Sequence, residues 1–134
     1  MKPLLLLSLI LVLSGCYLAN GSPPEYSFWK KNGIELSDID AENCYQRAKY
    51  SSLNEEEKER FDFLEKIAVN SLAKMAFYHE SEYKEYLNFL NKLDVLKNQC
   101  LYDLGYRFQA PLYWCLAQDG DNTQTCIENM KYRK

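Results

Sequence analysis

Apolar residues recur at helical spacing between Ser37 and Gly105, and this pattern predicts three main helices. Ser37 is a suitable N-cap for the first helix, which we expect to span about 38–50. The apolar stripe of this helix consists of Ile39, Ala41, Cys44, Tyr45 and Ala48. Polar residues fill the positions between them, so one face of the helix is expected to be buried.

The next two apolar stripes predict the second and third helices. Asn54 or Ser52 can cap the second helix, and the three glutamates that follow suit the positive end of its dipole. The second stripe consists of Phe61, Leu64, Ala68, Leu72, Met75 and Ala76, and the third of Tyr83, Tyr86, Leu87, Leu90, Leu93, Leu96, Cys100, Leu101 and Leu104. A single rod through both stripes is one possibility. We favour a hairpin with a break near 78–81, because so long a rod would need a partner, and Gly105 fits the end of the third helix.

The C-terminal part of the chain is less regular. Pro111 opens a short segment that contains Tyr113, Trp114 and Cys115. Thr123 is suitable for capping a short final helix that runs through Met130. The fold class expected from these elements is all-α, a small three-helix domain with a disulfide-tied C-terminal extension.

A ten-residue apolar run lies near the amino terminus. Nine of the ten residues from Leu4 to Leu13 are apolar, and the cation Lys2 precedes them. A transmembrane helix needs about 20 apolar residues, so the shorter run predicts a secretory signal peptide over residues 1–15. Residues 16–27 are then expected to form a tether, and residues 28–134 a single helical domain.

The segment Leu13-Ser14-Gly15-Cys16 resembles the lipobox of bacterial lipoproteins. The resemblance implies that a peptidase cuts before Cys16, which carries a diacylglycerol and an acylated amine. Each buried methylene contributes about 0.8 kcal/mol, so two or three chains would make release from the membrane negligible. An ordinary signal peptide with a cysteine at this position is the alternative.

The residue after Cys16 indicates which of the two membranes of a Gram-negative cell the resemblance implies. In enteric-type lipoproteins an Asp at that position retains the protein at the inner membrane, and this chain has Tyr17 instead. The resemblance therefore implies a lipid anchor in the outer membrane of a Gram-negative cell, with the domain facing the periplasm or the cell surface.

Four further cysteines follow the lipobox, namely Cys44, Cys100, Cys115 and Cys126. An even count in an exported chain indicates two disulfides and an oxidising compartment. Three pairings are possible. We favour Cys44–Cys100, which would join an early helix to a late one, with Cys115–Cys126, which would close a loop through the turn signal at 119–122. No Cys-x-x-Cys pair is present and there is one histidine, so neither a metal site nor a redox site is expected.

Composition and charge exclude two classes of protein. The formal net charge is −3 at pH 7, so no basic excess exists to neutralise nucleic-acid phosphates. No other long apolar run is present, which excludes a polytopic membrane protein. The 11 tyrosines and 2 tryptophans supply apolar area and favour a folded domain over a disordered chain.

Aromatic residues cluster in the C-terminal region, where Tyr102, Tyr106, Phe108, Tyr113 and Trp114 lie close to Arg107. Tyr, Trp and Arg are favoured at the centres of protein interfaces, so we select Arg107, Tyr106, Tyr113 and Trp114 as candidate partner-binding residues. Packing in a small core is the alternative. Because adjacent residues point in different directions, we expect Trp114 in the core and Tyr113 and Arg107 at the surface.

Phe28 and Trp29 have the same two interpretations, and contact with the membrane interface is a third.

No group of residues indicates catalysis, because His79 has no identifiable nucleophile or orienting partner and is expected to be exposed or to cap a helix. The acidic run Glu55–Glu57 with Glu59 could bind a cation, but the neighbouring Lys58 and Arg60 favour a solvated helix start. We expect no enzyme activity, no cofactor and no metal.

A second resemblance covers scattered positions. Phe28-Trp29-Lys30-x-x-Gly33, the helix with Cys44, and Cys100-Leu101-x-x-x-Gly105-Tyr106 resemble a group of small Gram-negative lipoproteins. These carry a Trp-Lys-x-Gly segment after the anchor and a Cys followed by Gly-Tyr near the end. This chain departs from their pattern at Asn32, where Pro is common, and no Gly follows Cys44.

These observations favour a lipid-anchored cell-envelope protein that binds another envelope protein and has no enzymatic activity. A more specific version is an exclusion or immunity lipoprotein that acts against a toxin, a phage or a conjugation apparatus. An envelope enzyme that acts on glycan through paired carboxylates is a second class. A structural scaffold or assembly factor is a third.

Overall fold

The computed structural model describes residues 23–117 and 122–134. The expected signal peptide, Cys16 and the first part of the tether lie outside the described residues. The helices described are α1 (Asp38–Ser52), α2 (Glu55–Tyr78), α3 (Glu80–Asp103), α4 (Leu112–Cys115) and α5 (Asn122–Asn129). The strands are β1 (Trp29–Lys31), β2 (Ile34–Glu35) and β3 (Arg107–Phe108), and 3-10 helices cover Glu25–Phe28 and Met130–Tyr132. The all-α prediction, with three main helices and a disulfide-tied extension, is confirmed.

Helix α1 begins where the sequence predicts. The Ser37 hydroxyl oxygen accepts a hydrogen bond from the Asp40 backbone N–H at 3.1 Å, which satisfies one of the free donors of the first turn. Cys44 and Ala48 are buried, but Ile39 is 74% exposed although it belongs to the expected apolar stripe. The buried face of α1 is therefore narrower than the stripe.

Helices α2 and α3 form the predicted hairpin. A capping box opens α2, since Asn54 Oδ1 accepts from the Glu57 N–H and the Glu57 carboxylate accepts from the Asn54 N–H, each at 2.9 Å. The helix ends at His79, whose backbone (φ −135°, ψ 56°) is not helical, and α3 begins at the next residue. The expected break near 78–81 is confirmed, and the single-rod alternative is wrong.

Helix α2 is interrupted at Ser71, which the sequence analysis does not predict. Ser71 has an extended backbone (φ −172°, ψ 99°), and its hydroxyl oxygen accepts from the Lys74 N–H at 3.2 Å. It therefore caps the last two turns of α2 like an N-cap. The break interrupts the apolar stripe, so Leu72 is 46% exposed while Met75 is fully buried.

The buried apolar residues form three clusters that follow one another along α3. The largest, at the C-terminal end of α3, contains Phe28, Trp29, Cys44, Cys100, Leu101, Tyr106, Phe108, Ala110, Trp114, Cys115 and Tyr132. The middle cluster contains Ala48, Leu53, Phe61 and Leu93, and the third contains Leu64, Ala68 and Met75 with Tyr83 packed against them. The two ends of the domain therefore differ. The sheet and α4 cover the C-terminal end of α3, whereas α2 and α3 alone form the core at the other end.

A small antiparallel sheet, which the sequence analysis misses, covers the C-terminal end of α3. Its strand order is β2-β1-β3, with Trp29 opposite Phe108 in the ladder. The β1–β2 connection is the pair Asn32-Gly33, and both residues have positive φ (53° and 79°). This is the conformation of a two-residue type I′ hairpin, for which Asn-Gly is the favoured sequence.

Both favoured disulfides are present. Cys44–Cys100 joins α1 to α3, and Cys115–Cys126 joins α4 to α5. The role expected for Thr123 is wrong, because α5 already begins at Asn122. The Thr123 hydroxyl instead donates to the Cys115 carbonyl at 2.7 Å and so fixes α5 against α4.

The last residues of the expected tether are held against the domain. The Trp114 indole N–H donates to the Pro23 carbonyl at 2.7 Å. The Glu25 carboxylate accepts from the Asn129 amide at 3.0 Å and from the Trp29 indole N–H at 3.4 Å. The described chain thus meets the domain at Pro23, before the expected boundary at residue 28.

Candidate functional site

Two of the four candidate partner-binding residues lie in the core. Trp114 is 3% exposed, and its ring centroid lies 4.6 Å from that of Phe28, which confirms the expectation that Trp114 is buried. Tyr106 is 5% exposed, and its hydroxyl donates to Asp40 Oδ2 at 2.6 Å. A partner could not reach either side chain in the folded domain, so selecting these two residues as surface contacts is corrected.

Arg107 is partly buried and is engaged inside the domain. Its guanidinium donates to the Tyr102 carbonyl at 3.1 Å and to the Tyr106 carbonyl at 2.8 Å. The same group lies 4.1 Å from the centroid of the Tyr102 ring, within the range of a cation–π contact. Arg107 therefore stabilises the turn after α3, and it is less exposed than expected.

Tyr113 is the candidate that the structure places at the surface. It is 75% exposed, although its neighbour Trp114 is buried. The two side chains differ because α4 is amphipathic, with successive residues turned about 100° around the helix axis. The candidate cluster is therefore divided between the core and the surface.

Phe28 and Trp29 belong to the core. Trp29 is 1% exposed and packs against Phe108 and Tyr132, with centroid distances of 5.6 Å and 5.5 Å. Phe28 is 9% exposed. Their burial excludes the interpretation that these two rings touch a membrane interface.

Among residues 23–117 and 122–134, the most exposed large apolar side chain is Phe77, at the far end of the hairpin, where the sequence predicts no site. We define the hairpin end as Val69, Leu72, Phe77 and Tyr78, the last exposed apolar residues of α2. Phe77 is 87% exposed, Val69 is 81% and Tyr78 is 78%. Val69 and the pair Phe77-Tyr78 lie outside the apolar stripe, and the pair stands at the predicted break. These positions are the signal in the sequence that indicates an exposed apolar group. Single exposed apolar residues are common, but several close together at one end of a domain are typical of an interaction surface.

An ion pair joins the N-terminal part of α2 to the N-terminal part of α3. The Arg60 guanidinium contacts the Glu85 carboxylate through two nitrogens, at 3.0 Å and 2.6 Å. These hydrogen bonds lower the pKa of Glu85 below its ordinary value and raise that of Arg60. A two-pronged contact of this kind fixes the orientation of one helix against the other more than it adds stability.

A pocket of about 430 Å³ lies between the first 3-10 helix, α1 and α3. Its wall includes Glu25, Tyr26, Trp29, Glu42 and Tyr45. The Tyr45 hydroxyl donates to Glu65 Oε1 at 3.0 Å, and burial, together with the Glu65 charge, raises the pKa of Tyr45 well above its ordinary value. A phenol with a raised pKa stays protonated near neutral pH, so Tyr45 does not supply a general base to the pocket.

His79 is exposed at the α2–α3 junction, where it is the C-cap of α2. Within residues 23–117 and 122–134, no three His, Cys, Asp or Glu side chains are grouped so as to hold a metal ion. Among the same residues, no helix is both long enough and apolar enough to cross a membrane.

Comparison with models of protein families, with curated proteins and with solved structures finds no match to this chain. Function therefore has to be argued from the residues and their geometry alone.

Proposed function

We propose that this chain is a lipid-anchored protein of the outer membrane of a Gram-negative cell, with a domain that binds another envelope protein. The observation that carries the anchor is the sequence Leu13-Ser14-Gly15-Cys16 at the end of the apolar run. An anchor of two or three acyl chains on Cys16 holds the domain at the membrane without a spanning helix.

The disulfides support export of the chain. All four cysteines after Cys16 are paired, and the larger bridge connects residues 56 positions apart. Structural disulfides persist in the periplasm and at the cell surface and are rare in the cytosol.

The hairpin end supports the binding part of the proposal. It lies nearly one helix length from the sheet and α4, because the 20 residue-to-residue steps from Glu80 to Cys100 span about 30 Å at about 1.5 Å per step. The described chain starts at the opposite end, where Pro23 is bonded to Trp114. A domain tethered at that end would present Phe77 and Tyr78 away from its anchor.

The anchor is tested by changing Cys16→Ser in the full chain and labelling growing cells with a fatty-acid probe. We expect the unsubstituted chain to carry the label and to fractionate with the outer membrane. The C16S chain should carry no label and should be uncut or released into the soluble fraction. Equal labelling of both chains would contradict the lipoprotein proposal.

Binding is tested by cross-linking the anchored protein in intact envelopes. Tyr78→Ser should remove a specific cross-linked product, whereas the matched change Tyr50→Ser, at a tyrosine that is 71% exposed on α1, should leave it. A product that survives Tyr78→Ser would contradict the hairpin end as the contact surface. A partner from a toxin, a phage or a conjugation apparatus would specify the exclusion or immunity version of the function.

A further inference from the structure

We propose that the exposed face of α4, formed by Leu112, Tyr113 and Leu116, lies against the surface of the lipid bilayer that holds the Cys16 anchor. This inference rests on the proposed lipid anchor and adds a second, non-covalent contact between domain and membrane. It also orients the domain, with the sheet and α4 toward the lipid and the hairpin end away from it.

The α4 face is apolar and exposed, and its three residues lie next to one another on one side of the helix. Leu112 is 71% exposed, Tyr113 is 75% and Leu116, at the C-cap, is 61%. At about 100° per residue these three positions fall within a sector of about 100°, and the buried Trp114 and Cys115 fall on the opposite side. The face is therefore an outward-facing apolar surface on a helix whose other side is fixed in the core.

The attachment of the chain places this face close to the membrane. The Trp114 indole N–H donates to the Pro23 carbonyl at 2.7 Å, so the described chain starts directly beside α4. Pro23 lies seven positions after Cys16, with six residues between them. At a maximum of about 3.6 Å per residue this spacing reaches no more than about 25 Å, so Pro23, and α4 beside it, stay within that distance of the anchor.

The chemistry of the surroundings suits a lipid interface. Tyrosine is favoured where one end of the side chain is apolar and the other is in water, as at the boundary between acyl chains and headgroups. The exposed Arg133 donates through Nη2 to the Ala110 carbonyl, two residues before Leu112. It places a cation beside the apolar face, where the phosphates of lipid headgroups would lie.

The hairpin end is a poorer choice for the membrane contact. It lies about 30 Å along α3 from Cys100, on the side of the domain away from Pro23. The short chain between Cys16 and Pro23 keeps the Pro23 end near the bilayer and places no such limit on the hairpin end.

The test uses the full lipidated protein in vesicles of phosphatidylethanolamine and phosphatidylglycerol whose acyl chains carry bromine, which quenches indole fluorescence on contact. Tyr113→Trp introduces a reporter in the α4 face, and Tyr78→Trp introduces a matched reporter at the hairpin end. We expect bromolipid to quench the added emission at position 113, with a blue shift, and to leave position 78 unquenched. Adding Leu112→Ser and Leu116→Ser to Tyr113→Trp should abolish the extra quenching.

The outcomes separate this inference from the anchor. Absence of fatty-acid label on Cys16 would overturn both proposals. Label with equal emission in brominated and ordinary vesicles would overturn the membrane contact alone. Protection from iodide without bromine quenching, rising with the surface density of the protein, would assign the α4 face to a second copy of the chain and would also overturn it.

Discussion

At the scale of single residues, Trp114 and Tyr113 show how two neighbours with similar chemistry perform different tasks. Trp114 is buried against Phe28 and bonded to Pro23, whereas Tyr113 is exposed. We expect Trp114→Ala to lower the free energy of unfolding by about 3–5 kcal/mol, because it leaves a large cavity and an unpaired carbonyl. Tyr113→Ala should change it by about 0.5 kcal/mol or less. Urea unfolding followed by circular dichroism measures both, and similar losses in the two variants would contradict this division.

Asp40 and Tyr106 make a second residue-scale prediction possible. The hydrogen bond from the Tyr106 hydroxyl lowers the pKa of Asp40 in the folded protein. A lowered folded-state pKa means that the stabilisation is complete above the unfolded value, near 3.9, and is lost as the pH falls through the folded value. Glu85, whose pKa is lowered by Arg60, acts in the same direction. We therefore expect the free energy of unfolding to be level from about pH 5 to pH 7 and to fall below about pH 4.

The variant Tyr106→Phe isolates this contribution. It removes the hydroxyl but keeps the ring, so the pKa of Asp40 should rise toward its ordinary value in a titration followed by NMR. Tyr113→Phe is the matched control, because the exposed Tyr113 should leave that pKa unchanged. An Asp40 titration that is identical in Tyr106→Phe and in the unsubstituted protein would show that another group holds the carboxylate.

At the scale of elements, the helices were predictable because their signals are long and repeated. Ser37 and Asn54 cap helices where the sequence places them, and the chain breaks at His79, within the range 78–81 that was expected because a single long rod would need a partner. The strands were missed because two or three residues carry no periodicity. Asn32-Gly33 is a local signal of the β1–β2 hairpin, because Asn-Gly favours a two-residue turn.

The candidate site was harder to predict than the helices, for a physical reason. Aromatic residues are favoured both in cores and at interfaces, so composition does not distinguish the two roles. The position of a residue on its helix does distinguish a core role from an interface role, as for Trp114 and Tyr113. A helix of four residues such as α4, however, is too short for its apolar period to be recognised in the sequence. The exposed residues of the hairpin end were not predicted, because Phe77 and Val69 lie outside the apolar stripe that identifies the helix.

The interruption at Ser71 is the element-scale feature with a measurable consequence. The Ser71 hydroxyl oxygen accepts from the Lys74 N–H, so Ser71→Ala leaves that donor without its capping partner. We expect a loss of about 0.5–2 kcal/mol in the free energy of unfolding, the usual cost of removing an N-cap. Amide exchange should rise in residues 72–78 and stay unchanged in α1.

Ser51→Ala is the matched control for Ser71→Ala. Ser51 lies within α1 and its hydroxyl donates to the Ala48 carbonyl, so it satisfies no free N–H. Alanine has the higher helix propensity, and this change should leave stability equal or slightly raise it. If Ser71→Ala were also neutral, the serine would not be responsible for holding the last turns of α2.

At the scale of the whole molecule, the described domain is organised around α3. The three core clusters follow one another along this helix, and the first of them joins the sheet, α1 and α4 to its C-terminal end. The Cys44–Cys100 bridge lies within that cluster, with Cys44 fully buried. Pro23, the α4 face and the largest cluster thus share one end of the domain, and the hairpin end lies at the other.

The two disulfides should differ in what their removal costs. In the chain-entropy model a loop of 56 residues contributes about 4 kcal/mol and one of 11 residues about 3 kcal/mol. We expect Cys44→Ala with Cys100→Ala to destabilise the whole domain, because it frees α1 from α3 and opens a cavity in the largest cluster. Cys115→Ala with Cys126→Ala should cost less and should raise amide exchange mainly in α4 and α5. Urea unfolding with exchange mapping measures both, and a larger global loss from the second pair would mean that the C-terminal extension, and not the α1–α3 contact, sustains the fold.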